Sequence, residues 1–253
     1  MILFDTHAHM CDPVFDADRA EVISRAKATG VKAIISVGET VADVKKNLKL
    51  ASLYDELKPA AGLYPTRLNL KEADAMVSLI RKNRNALVAI GEVGLDYWIV
   101  KDEADRETQR KIFKTFIYLS LELDLPLNVH SRSAGRHAIQ ILLESKAQKV
   151  QLHAFDAKTT AAIPAIEAGY FFSIPTSVIR SRQKQKLVKQ LPLSSLLIET
   201  DSPVLGPTGQ ERNEPANVLI ALKAIARIKN LSEQEIMEAV AGNTRRLYGD
   251  LTT

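Results

Sequence analysis

The chain has one cysteine, Cys11, in 253 residues, so an internal disulfide framework is excluded and a reducing compartment such as the cytoplasm is expected. No apolar run approaches the 18 residues of a membrane span, and Met1-Ile2-Leu3-Phe4-Asp5 reaches an acidic residue too early for a secretory leader, so no membrane partner is expected. No stretch is rich enough in Gly, Pro or Ser to read as a linker or a low-complexity tail, which leaves one domain over residues 1–253. Strand one is not followed by a Gly-rich phosphate-binding turn, which argues against a doubly wound dinucleotide fold. An excess of one charge is also missing: the net charge of +4 permits an anionic partner without the basic track of a protein that coats nucleic acid.

What is present is an alternation of short apolar, β-branched runs with longer amphipathic stretches. The runs are Ile2–Thr6, Val31–Val37, Pro59–Leu63, Leu87–Gly91, Leu125–His130, Val150–His153, Tyr170–Ile174 and Ser195–Thr200. Helical patterns fall at Asp18–Thr29, Ala42–Leu53, Ala73–Asn83, Arg106–Leu123, Gly135–Ser145 and Ser181–Gln190, and two more, Ala216–Ile228 and Ser232–Arg246, close the chain. Eight strands alternating with helices in about 250 residues predict an α/β fold, a single (β/α)8 TIM barrel whose functional residues gather at the C-terminal ends of the strands.

Histidine is scarce, with five in the chain, and four of them (His7, His9, His130 and His153) end the proposed strands one, five and six. His7 and His9 are two apart, so on an extended segment both side chains leave the same face and can grip one ion. Asp5 shares that parity and is expected to orient a histidine as an outer acceptor. Glu92 and Asp201 follow strands four and eight, where a carboxylate without a cation would carry a heavy desolvation cost. A lone His-x-His is a weak signal, but six residues of ligand type on five strands are a strong one. The expectation is two divalent cations at the barrel mouth: His7, His9 and Asp201 on one, His130 and His153 on the other, and Glu92 bridging them. Imidazole with carboxylate suits Zn, Mn, Fe or Ni, with Mg a further candidate and Ca a poorer one. Two such cations would lower the pKa of a shared water and clamp the electrophile it attacks, with Asp201 and Glu92 as the catalytic carboxylates and Asp201 holding or relaying the proton.

Arg67, Arg132, Arg136, Arg180, Arg182 and Arg212 lie on the proposed βα segments; Arg132, two residues past His130, is the one singled out for substrate phosphate. Cys11 reads as a reduced, non-catalytic residue, His137 as a surface residue on a helix, and Trp98 either as a base-stacking group or as cover for the barrel mouth.

The segments Asp5-Thr-His-Ala-His9, Gly91-Glu-Val-Gly-Leu-Asp-Tyr97, Pro126 to His130, His153-Ala-Phe155 and Glu199-Thr-Asp-Ser-Pro203 resemble, in order and spacing, the motifs of the TatD-related metal-dependent hydrolases, one branch of the amidohydrolase-like barrels. His130-Ser-Arg-Ser-Ala-Gly-Arg136, His153-Ala-Phe-Asp156 and Phe172-Ser-Ile-Pro175 look most like the subgroup that contains the third TatD-domain protein of animals. The resemblance implies metal-dependent deoxyribonuclease activity and carries ligand roles to His7, His9, Glu92, His130, His153 and Asp201. Two positions depart from the family pattern: Tyr64 stands where many members have histidine, and Asp156-Ala157 where many have serine and glycine. The competing readings are an amidohydrolase or ester deacylase, including one acting on aminoacylated nucleic acid, and a scaffold with a dead site. Glu92 at the bridging position favours phosphoester chemistry over the first, and the complete ligand set disfavours the second.

Overall fold

The computed structural model describes residues 2–252. Eight parallel strands run in sequential order: β1 (Leu3–Ala8), β2 (Val31–Ser36), β3 (Leu57–Ala61), β4 (Ala89–Gly94), β5 (Leu127–His130), β6 (Val150–Leu152), β7 (Phe171–Ile174) and β8 (Leu196–Ile198). Each neighbouring pair from β1 to β8 is a parallel ladder. The ring closes just beyond the last ladder, where Asp201 N donates to His7 O (2.8 Å) and His9 N donates to Ser202 O (2.7 Å). The (β/α)8 barrel expected from the alternation is therefore the observed fold.

The strands are buried because helices cover the outside and side chains fill the inside, which is why they read as near-continuous apolar runs. The covering helices are α1 (Arg19–Ala28), α2 (Val41–Ala51), α3 (Leu70–Lys82), α4 (Glu103–Leu123), α5 (Gly135–Glu144), α6 (Thr159–Glu167), α7 (Arg182–Gln190) and α8 (Val218–Lys229). A last helix, α9 (Glu233–Tyr248), packs its Ala241 with Phe4, Ile35 and Ala89 at the opposite end of the barrel from the histidines. Side-chain caps set several helix starts: Thr40, Asn69, Asp102, Ser181 and Ser232 each accept from a backbone N–H of the first turn. Ser232 with Glu235 forms a full capping box.

The differences from the sequence reading are local. Helix α6 was not among the expected helices, because Thr159-Thr160 and Pro164 both argue against one. It forms nonetheless: Pro164, the sixth of its nine residues, takes one hydrogen bond out of the ladder, and the burial of Ala162 and Ala165 against the barrel offsets that loss. Strand β3 sits two residues earlier than expected, and β4 extends to Gly94, which brings Glu92 into the strand rather than past its end.

Gly94 is one place where only glycine fits. Its φ is +144°, and a Cβ there would lie 2.0 Å from the carbonyl oxygen of His130. Gly94→Ala should lower stability by about 3 kcal/mol and push β5 away from β4 at His130. Denaturant unfolding measures the loss; a midpoint equal to wild type would show that the backbone there relaxes freely.

Candidate metal centre

All six residues expected to hold metal converge at the C-terminal end of the barrel. His7 and His9 leave β1 and its extension on the same side, as their spacing requires, and their Nε2 atoms are 3.3 Å apart. Asp201 Oδ1 lies 3.4 Å from His7 Nε2 and 3.3 Å from His9 Nε2, and Glu92 Oε2 lies 3.7 Å from each. Four donors about 2.1 Å from a tetrahedral cation would be separated by about 3.4 Å, so these spacings fit an ion at their centre. The other carboxylate oxygen, Glu92 Oε1, faces a second group: it is 2.6 Å from His130 Nδ1 and 3.0 Å from His153 Nε2. His7 and His153 are stacked with centroids 3.8 Å apart, which joins the two groups.

The electrostatics of the cluster fit cations. Glu92 is buried, and its Oε2 has no hydrogen-bond partner, an expensive state for a carboxylate oxygen unless a positive charge faces it. Burial works against the charged form of Glu92, but His153 and His130 outweigh it and hold the carboxyl well below its usual range. Asp201 is likewise held low, burial being overcome by hydrogen bonds to His7 and His9. For His9, desolvation is outweighed by Asp201 and Glu92, and its pKa rises to about 9. Protons and cations thus compete for the same ring nitrogens, as in any site built from histidine and carboxylate.

Beneath this layer lies a second one, and the sequence reading named only Asp5 of it. Asn128, two residues before His130 on β5, accepts through Oδ1 from His7 Nδ1 at 2.8 Å, leaving His7 Nε2 turned to the cluster. Tyr248 of α9 donates to Gln151 Oε1 (2.6 Å), and Asn128 Nδ2 donates to Thr6 O (3.0 Å) and approaches the Tyr248 hydroxyl (3.4 Å). Glu199 accepts from Ser173 Oγ (2.5 Å) and from the backbone N–H of Ala154 (2.8 Å), and its Oε1 is 3.6 Å from His153 Nδ1. Asp96 Oδ2 is 3.1 Å from His130 Nε2.

Asp5 plays a different part from the one expected. Its carboxylate meets no histidine ring; it accepts from Thr200 N (2.8 Å) and Thr200 Oγ1 (2.5 Å), which pins the chain immediately before Asp201. Asp201 itself has a φ of +57°, an uncommon conformation that aspartate tolerates better than most residues and that aims its carboxylate back over the barrel.

The cluster forms the floor of a cavity of about 540 Å³, whose walls include Tyr64, Arg132, Asp156 and Lys184. Of the arginines considered, Arg132 lines this cavity, whereas Arg67 pairs with Glu72 and Arg212 with Asp18. Arg180 donates to Gly206 O, and Arg136 lines a separate groove between α5 and α6. Lys184 was not singled out from sequence; it is buried, donates to Ala154 O at 2.8 Å, and desolvation pulls its ammonium below its usual range. Glu39 is a further wall residue that sequence reasoning missed, 3.7 Å from His9 Nδ1. The two departures from the family pattern both face the cavity. The Tyr64 ring stands edge-on to His130 with centroids 5.2 Å apart, and Asp156 accepts from Ser133 N. His137 is exposed beside Tyr97, and Cys11 is buried with its thiol pushed up to about 12 by desolvation.

A parallel eight-stranded barrel with histidine and acidic groups able to hold metal at its C-terminal mouth defines a metal-dependent hydrolase of the amidohydrolase-like type. The TatD-related DNase family profile matches residues 4–249, and the chain belongs to that family. It is 42% identical to human deoxyribonuclease TATDN3 over 98% of this chain and 95% of the relative. It is 32% identical to the metal-dependent hydrolase YabD of Bacillus subtilis, over 98% and 99% of the two chains. The crystal structure of the Escherichia coli TatD homologue YjjV superimposes with a TM-score of 0.90 at 26% identity, covering 98% of both chains.

If Asn128 sets the His7 tautomer, Asn128→Ala should weaken metal binding by about 10- to 100-fold. Competition against a chromophoric chelator reads this out on folded protein. Loss of thermal stability with unaltered metal affinity would reduce Asn128 to a packing role.

Proposed function

We propose that this protein is a divalent-metal-dependent phosphodiesterase that shortens single-stranded DNA from an end. In this reading His7, His9 and Asp201 would hold one cation and His130 and His153 a second, with Glu92 serving both. The observation that carries this reading is that the two oxygens of one buried carboxylate, Glu92, face two different histidine groups. When bound, such cations supply Lewis acidity toward a phosphoryl oxygen and lower the pKa of a nearby water; Zn, Mn, Mg, Fe and Ni are the candidates.

The chain's own residues do the rest. Asn128 and Asp96 keep the His7 and His130 rings in the orientations that aim one nitrogen at the cluster. Asp201, the carboxylate nearest both β1 histidines, accepts the proton of the attacking water. Arg132 steadies a non-bridging phosphate oxygen from the wall of the cavity. A concave site admits a free or frayed end more readily than a stiff duplex, and a net charge of +4 leaves no broad basic track for wrapping one. The human relative's name as a deoxyribonuclease supports DNA as the substrate. The buried, unpaired Cys11 supports a reducing, cytoplasmic setting, and no helix among the described residues is long and apolar enough to cross a membrane.

Glu92→Ala should abolish turnover and lower bound metal while circular dichroism stays that of the folded barrel; unchanged metal content with unchanged turnover would refute the bridging role. Arg132→Ala should cut kcat/KM for a phosphodiester by about tenfold or more with both metals retained, as expected for loss of a charge-assisted phosphate contact. The substrate form is tested with labelled linear single strands, blunt duplexes and closed single-stranded circles. Linear strands should shorten fastest and circles stay intact. Rapid cutting of circles would show internal cleavage, and inertness on all nucleic acids beside turnover of an ester or amide would move the assignment to a deacylase.

A further inference from the structure

Trp98 is the sole tryptophan of the chain and stands against Arg132, a wall residue of the metal cavity, 56% exposed, with Ile99 equally exposed beside it. Its position is tied to the metal centre by one carboxylate. Asp96 Oδ1 accepts from the backbone N–H groups of Trp98 (2.9 Å) and Ile99 (2.8 Å), while Asp96 Oδ2 lies 3.1 Å from His130 Nε2. The same turn is fastened to the loop after β5 by Tyr97 N donating to Arg132 O (3.0 Å). Two cations lie 5.2 Å from the indole centre: the Arg132 guanidinium, which also lines the cavity, and the Lys101 ammonium.

We propose that Trp98, with Arg132 and Lys101 beside it, is a nucleobase subsite in which the indole stacks the base that flanks the phosphate under attack. The proposal rests on the phosphodiesterase reading above and adds the part of the substrate that reading leaves undefined. Both cations lie over the ring and both are on long, flexible side chains, so an arriving strand draws them to its phosphates and the ring face they leave takes the base. Because Asp96 contacts both His130 and the Trp98 turn, the distance from cleaved phosphate to stacked base is held by one short path rather than by a mobile loop. Every base has a π-face, so the subsite recognises bases as a class with little sequence preference. Bases within a duplex already stack on each other and cannot lie on Trp98, which gives a second, independent reason for acting on single strands.

Two phosphodiesters with the same leaving group test this, thymidine 5′-(p-nitrophenyl phosphate) and methyl p-nitrophenyl phosphate, assayed with the metal-loaded enzyme. The wild type should favour the nucleotide, and Trp98→Ala should lower the ratio of the two kcat/KM values by about tenfold, chiefly through KM, with Trp98→Phe restoring most of it. An unaltered ratio in Trp98→Ala overturns the subsite. As a binding measurement without turnover, a cleavage-resistant phosphorothioate oligothymidylate should quench the emission of Trp98, and a strand of equal length built from base-free tetrahydrofuran spacers should not. Equal responses to both strands, or to neither, overturn it as well. If neither phosphodiester is hydrolysed, the phosphodiesterase reading fails, and the emission titration still decides whether bases bind at Trp98.

Discussion

The carboxylate of Glu92 is sealed inside the mouth of the barrel among four imidazoles, and most of the surrounding architecture follows from keeping that charge there. One of its oxygens has no hydrogen-bond donor, and the other meets two histidine nitrogens. A group of this kind is tolerated only where positive charge compensates for lost hydration, and the rings around it act as ligands only if their far nitrogens are held. The barrel meets both requirements by stacking polar layers. The upper layer offers nitrogens and oxygens to the centre, and the lower layer of Asn128, Gln151, Ser173 and Glu199 holds that upper layer in place.

The lower layer also connects the site to the end of the chain. Tyr248, at the last position of α9, reaches Gln151 and Asn128, so the helix that seals the bottom of the barrel ends in a hydroxyl separated from His7 by one side chain, Asn128. Stability of the C-terminal helix and orientation of the histidine cluster are in this way one physical problem. Asp5 illustrates the same economy at the top of the barrel: by gripping Thr200 it joins the first strand to the last where the ladder has run out, and it sets the backbone from which Asp201 projects.

Above the polar layers, the cavity wall combines aromatic, acidic and basic side chains. Tyr64 stands edge-on to His130, and Asp156 is engaged with the backbone of the loop that carries Arg132. Lys184 is bound to Ala154 O, next to His153. The basic groups on this rim are few, so attraction to an anionic strand is local to the site rather than spread over the surface, consistent with the modest net charge.

By itself the sequence determined the fold class and which histidines and carboxylates gather at the mouth of the barrel. Eight apolar runs spaced by amphipathic stretches allow few closed arrangements, and a histidine or carboxylate directly after such a run must emerge at the C-terminal rim of a parallel barrel. The weaker signals were those in which local rules compete: α6 was hidden because Pro164 and its threonines argue against a helix that packing on the barrel overrides, and β4 ended too early in the reading because Glu92 and Gly94 do not look like strand residues. The parity that singles out Asp5 applies equally to the rest of the lower layer, since Asn128, Gln151 and Glu199 each also stand two residues before a candidate ligand and share its face of the strand. Only the tertiary structure decided their partners. Asn128 meets His7 across 121 positions and Asp5 meets Thr200 across 195, because ring closure brings together strands that the chain keeps far apart, and hydrogen bonds depend on that proximity and on direction, neither of which a strand pattern encodes.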